Sequence, residues 1–143
     1  MSAQPATTTY TIPESFEKTV IGLRNALSRR NLRVMEMLNL SEHIQRRLSI
    51  RTPPCVVLLV APAASGFDAL RCSSVAYLFM PLHVVISDCG PLSKVHVLRS
   101  SQLDREGIDS ATFSVLDRLQ SEVADAIHSS IKLMVEADNG ALP

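Results

Sequence analysis

The segment from His83 to Arg99 restricts the fold more than any other part of the sequence. Two runs rich in β-branched residues, His83 to Asp88 and Ser93 to Arg99, flank Cys89-Gly90-Pro91-Leu92. That pattern specifies an antiparallel hairpin. With the loop at Cys89 to Leu92, Asp88 faces Ser93, Ile86 faces Val95 and Val84 faces Val97, so four β-branched side chains share one apolar face. The other face carries His83, Val85, Ser87, Lys94, His96 and Leu98, with the two histidines as diagonal neighbours at about 7–8 Å. A slip of one residue would expose the valines and bury polar groups, so the register is strongly specified.

The remaining periodicities supply partners for that face. Thr7 to Ile12 reads as a short strand, and Pro13 suits the first turn of a helix running to about Arg29. Phe16, Val20, Leu23 and Leu27 fall on one face of that helix, with Glu14 and Glu17 at its positive end and Arg29 and Arg30 at its negative end. Leu32 to Leu38 is a second strand. Ser41 is expected to cap a short helix, Glu42 to Leu48, with Ile44 and Leu48 inward, and Thr52-Pro53-Pro54 stops it. Cys55 to Val60 is continuously apolar, as in a central strand covered on both faces or one that meets another subunit. Pro62 to Leu70 reads as a small-residue turn with one or two helical turns at most. The last element starts near Ser110 and ends before Asn139-Gly140. Its stripe Leu116, Leu119, Val123, Ile127, Ile131 and Met134 implies a helix of about 37 Å, long enough to lie across a sheet. Residues 7–137 are expected to form a single domain, with 1–6 and 138–143 disordered.

The chain has 143 residues, one domain's worth, and at 46% apolar and 20% charged it is not a disordered sequence. Fourteen basic residues balance fourteen acidic ones, and that disfavours nucleic acid as a partner. The balance is uneven: residues 1–53 carry eight Lys/Arg against four Glu, whereas residues 101–143 carry three against eight acids. Seven of the eleven arginines lie between Arg24 and Arg51. Contact between the oppositely charged ends, within or between subunits, is the natural use of that split. The start of the chain has no export-signal pattern, and the longest apolar run, Cys55 to Ala61, is too short for a bilayer. No membrane association is expected. The three cysteines, Cys55, Cys72 and Cys89, form no close pair, which fits reduced thiols and the cytoplasm.

Catalytic signatures are missing: there is no G-x-G-x-x-G, no Walker loop, no G-x-S-x-G and no H-E-x-x-H. Gly66 and Gly90 stand alone, so no loop is built to cradle phosphate. His83, His96, Cys55 and Cys89 are soft donors suited to zinc, copper or haem iron, and the hairpin would put His83, His96 and Cys89 on one side. Ligand-pair spacing is absent, however, and ordinary strand histidines, a loop thiol at Cys89 and small core residues at Cys55 and Cys72 explain them. Ser87, Asp88 and His96 fail as a triad because adjacent strand residues point to opposite faces. Met35, Met37, Met80 and Met134 read as core filler. Arg46, Arg47 and Arg51 form a candidate anion site of guanidinium forks. No cofactor is expected.

One ordered set of motifs goes further. Phe16-Glu17-Lys18-Thr19, Leu23 to Leu27, Leu32 to Val34, Leu40-Ser41-Glu42 with Ile44 and Leu48, and Pro53-Pro54-Cys55-Val56 running into Val60-Ala61-Pro62 resemble the domain-of-unknown-function family 302. Pro81 before the strand His83 to Ser87 fits as well, and the likeness spans about residues 7–135. It implies an α+β domain of the TBP-like type, β-α-β(4)-α. In that fold a curved, mostly antiparallel sheet carries two main helices on one face, and the domain is often a dimer. No established reaction accompanies the family. Many members carry Cys where this chain has Leu82 and Asn where it has Ala61, so a function resting on those polar groups is not implied here. The expected function is that of a small, non-enzymatic homodimer that binds a small molecule or a protein, with Arg46, Arg47, Arg51, His83 and His96 as ligand-binding candidates. The alternative is metal, haem or thiol redox chemistry at His83, His96, Cys55 and Cys89.

Overall fold

The protein is described from a computed structural model covering residues 7–62, 81–98 and 110–140, with Leu98, Ala111, Thr112 and residues 132–140 described by backbone alone. The elements in chain order are β1 (Thr7–Ile12), α1 (Phe16–Arg29), β2 (Arg33–Asn39), α2 (Leu40–Leu48), β3 (Cys55–Ala61), β4 (Leu82–Cys89), β5 (Leu92–Leu98) and α3 (Ser110–Gly140). The strands form one antiparallel sheet in the order β1-β5-β4-β3-β2. This is the α+β architecture expected from the sequence.

The hairpin has the expected register, with Asp88 opposite Ser93, Ile86 opposite Val95 and Val84 opposite Val97. Cys89 also pairs with Leu92, so the connection tightens to Gly90-Pro91. Gly90 has φ +78°, the positive value that the first central position of a type II′ turn needs, and its N–H donates to Asp88 Oδ1 at 2.9 Å. β3 lies inside the sheet, with Val56 opposite Ile86, Leu58 opposite Val84 and Val60 opposite Leu82. Alternation therefore puts Val56, Leu58, Val60, Leu82, Val84, Ile86, Val95 and Val97 on one face, where they are buried in a single core with Ile12, Leu23, Leu27, Leu116, Leu119, Val123 and Ile127. Truncating one of the fully buried leucines, such as Leu27 or Leu58, would cost about 2–5 kcal/mol.

α1 begins at Ser15, whose side chain accepts from the Lys18 N–H, and Glu17 lies in its first turn. Glu14 precedes the cap and is buried, with its carboxylate 3.7 Å from Lys18 Nζ, so it is not a first-turn residue. Asn39, not Ser41, caps α2 by accepting from the Glu42 N–H. Ser41 lies one residue inside that helix and instead ties it to β3: its hydroxyl accepts from Cys55 N–H at 3.1 Å and lies 3.4 Å from Cys55 O. Ile44 is half-buried, but Leu48 is 64% exposed and not inward as its spacing suggested. α3 runs through Gly140, past the stop expected before Asn139, because Asn and Gly lower helix propensity without being barred from a last turn. The turn expected beyond Pro62, Cys72, Met80, the side chains of Leu98 and Met134, and residues 1–6 and 141–143 lie outside the described residues.

The link from α1 to β2 is a tight reversal. Arg30 closes the helix, Asn31 adopts φ 60°, its N–H donates to Ser28 O at 3.0 Å, and Leu32 N–H donates to Leu27 O at 3.1 Å. These are the two bonds of a Schellman motif, and its usual apolar contact is available because Leu27 and Leu32 belong to the same buried core. The reversal lays β2 back beside α1. Asn31→Gly should leave stability equal or higher, whereas Asn31→Val should destabilise by about 1–2 kcal/mol, the cost of a left-handed backbone for an ordinary residue. Urea denaturation measures both, and equal midpoints for the two variants would contradict this account.

Candidate functional site

Arginine, histidine and cysteine candidates fall into two separate places. Arg46, Arg47 and Arg51 are exposed on the last turn of α2 and the chain after it. Arg46 is already engaged, with Nη2 2.8 Å from Glu42 Oε1 one turn earlier. Such an exposed pair contributes little to stability but leaves that guanidinium less free for a ligand.

His83 and His96 lie on the sheet face opposite the core. His96 is opposite both Val85 and Thr9, and Leu59 is opposite His83. The two histidines are therefore diagonal neighbours, as the sequence implied. His96 Nδ1 and Thr9 Oγ1 share a 3.0 Å hydrogen bond, whereas His83 is exposed. Cys55 is opposite Ser87 and Cys89 lies two residues further along β4, so both share the parity of the histidines. Sharing a face does not make a cluster. Among the described residues no three His, Cys, Asp or Glu side chains come close enough to hold a metal ion. Asp88 pairs with Ser93 on the core side and accepts from Gly90, so it is not available to orient His96.

Sequence reasoning missed a third place. A groove of about 1190 Å³ runs between α1 and β2. Its walls are Ile21, Arg24, Asn25 and Ser28 from α1 and Arg33 and Met35 from β2, and its floor is Leu32, Val34, Ala61 and Pro62. The floor is buried or half-buried, while Ile21 and Met35 stand 61% and 59% exposed at the rim. Met35 and Met37, expected to fill the core, are therefore exposed. The cause is local. The β2–β3 register shifts between Val34 and Glu36, so Met35 has no partner in β3, and β2 is an edge strand. The expected candidates Arg46, Arg47, Arg51, His83 and His96 do not line the groove. Its signal in the sequence was faint, since Arg24, Asn25 and Ser28 read as an ordinary solvated helix face. Only the break in β2 alternation at the adjacent apolar pair Val34-Met35 hinted at it.

The arginine-rich first third does meet the acidic last helix within one chain. Arg30 Nη1 is 3.9 Å from Asp125 Oδ2, and Arg30 Nη2 donates to Ser129 Oγ at 3.2 Å. Nearby, the Tyr10 and His128 rings meet edge to face with centroids 5.4 Å apart, joining β1 to α3.

A family model described as "Domain of unknown function DUF302" matches residues 8–132. Among solved structures, an uncharacterized conserved protein DUF302 from Bacillus stearothermophilus superposes with a TM-score of 0.76, covering 90% of this chain and 99% of that one at 16% identity. At that identity the likeness speaks for the fold alone. No curated protein matches the sequence. No helix among the described residues is long and apolar enough to cross a membrane.

Burial pushes the Cys55 thiol above its ordinary range, while Cys89 is exposed at the hairpin end. Because the folded state favours the neutral Cys55 thiol, its contribution to stability is complete below the ordinary thiol pKa and is lost as pH rises through the folded value. Limiting iodoacetamide at pH 8 should alkylate Cys89 before Cys55, as read by peptide mass mapping. Preferential labelling of Cys55 would contradict this assignment.

Proposed function

The chain belongs to the DUF302 family, and from that premise we propose that it is a non-enzymatic binding domain whose ligand site is the groove between α1 and β2. One observation carries the reading: a concavity of about 1190 Å³ exposes the edge of an otherwise buried apolar layer, with Ile21 and Met35 standing free at its rim. Ligand sites are mostly apolar hollows with a few polar groups for orientation. Arg24, Asn25, Ser28 and Arg33 are such groups here. Redox chemistry at His83, His96, Cys55 and Cys89 is not favoured, because these side chains share a face without forming a site.

The rest of the proposal concerns assembly and setting. We take the fold to be of the TBP-like type and the domain to act in the cytoplasm as a homodimer. The free thiols of Cys55 and Cys89 support the compartment. For the dimer, the support is the sheet face opposite the core, where Leu59 and Val85 are half-buried beside Val57 and none of the three belongs to the core cluster under α1 and α3.

Nile red, a neutral dye that brightens in apolar sites, tests the groove. It should bind near one equivalent per chain, and Ser28→Trp or Asn25→Trp, both at exposed wall positions, should abolish the signal without lowering the melting temperature. Binding unaffected by either substitution would overturn the assignment. Sedimentation velocity at micromolar concentration should show a dimer that Val85→Glu converts to monomer. A monomer from the start would end that part of the proposal.

A further inference from the structure

We infer that the groove takes a carboxylate with an aliphatic body, held at its head by Arg24 and Arg33. This inference rests on the groove being the ligand site and adds the chemical class. Three observations carry it. First, the groove is electrically one-sided: Arg24 on α1 and Arg33 at the start of β2 stand on opposite walls, and no described carboxylate lines it. Second, neither guanidinium makes an ion pair with a described residue, unlike Arg30, Arg46 and Arg118, which are each paired. Two arginines lining one apolar hollow, neither paired with a described carboxylate, favour an anionic head, since planar guanidinium donors match the two oxygens of a carboxylate. Third, the surfaces offered to the rest of the ligand are aliphatic. Leu32, Val34 and Ala61 form the floor and Ile21 and Met35 the rim, with no aromatic ring among the described lining residues and a methionine that adapts to a flexible chain.

The head is a carboxylate and not a phosphate for an electrostatic reason. Arg24, Asn25 and Ser28 belong to the C-terminal half of α1, where the helix dipole presents its negative end. That field weighs about twice as much against a dianion as against a monoanion. A phosphate site would use a helix N-terminus and consecutive backbone amides, and the described lining offers neither. Asn25 and Ser28 provide neutral hydrogen-bonding groups beside the head.

Displacement of bound Nile red by decanoate, decanol and decyl phosphate, each below its aggregation concentration, tests the inference on the full chain. Decanoate should compete about tenfold better than decanol, the gain of one good charge-assisted contact. The double variant Arg24→Gln/Arg33→Gln should erase that advantage, read as the ratio of decanoate to decanol competition within the same variant. If decanoate and decanol compete equally, the carboxylate class is wrong although the groove stands. If decyl phosphate competes tenfold better than decanoate, the anion is wrong. If the double variant keeps the decanoate advantage, the two arginines are not the head site. Failure of all three to displace a dye that the tryptophan variants do exclude would overturn the class and keep the groove. A dye insensitive to those variants would remove both.

Discussion

Everything in this fold depends on the antiparallel register of β3, β4 and β5. Each pairing puts like parity beside like parity: Val56, Ile86 and Val95 form one row and Leu58, Val84 and Val97 the next. Those rows make the apolar sheet surface on which Leu23 and Leu27 of α1 and Leu116, Leu119, Val123 and Ile127 of α3 close the core. The same alternation consigns His83, Val85, Ser87 and His96 to the other face. A single set of backbone pairings thus decides what is core, what is surface and which polar groups can meet.

The groove follows from that arrangement where the helix layer stops short of the sheet edge. β2 is the outermost strand, and the Schellman reversal at Asn31 returns it beside α1. The shift at Met35 then leaves that one residue out of the pairing with β3, which resumes at Glu36. Core-grade side chains, Leu32 and Ala61, end up at the floor of an open hollow. Charge is distributed to suit. Arg30 is used within the chain, against Asp125 and Ser129, while Arg24 and Arg33 line the groove. The uneven charge of a formally neutral sequence therefore serves helix contact in one place and electrostatic bias in another, and the exposed Arg30 pair adds little to stability.

Much of the fold was legible in the sequence because period-2 and period-3.6 patterns report burial directly. The hairpin register, the stripe of α3 and the limits of β1 all follow from them. Legibility failed where local chemistry competes with pattern. Ser41 looks like a cap, yet Asn39 two residues earlier takes that role and frees the Ser41 hydroxyl to clasp Cys55. Met35 and Met37 look like core, yet an edge position and a register shift expose them. The candidate site was not legible at all, since a groove between two elements depends on how far a helix covers a sheet. No motif encodes that distance, and polar helix residues such as Asn25 and Ser28 look the same whether they face water or a ligand.

The central claim is that ligands enter between α1 and β2 and not on the face of the histidines. Backbone amide shift mapping of the full chain during titration with decanoate tests it most directly. The account predicts concentration-dependent shifts at Asn25, Ser28, Val34 and Met35, with His83, Val85 and His96 unmoved. Shifts confined to the β4–β5 histidine face, or to Arg46, Arg47 and Arg51, would contradict it.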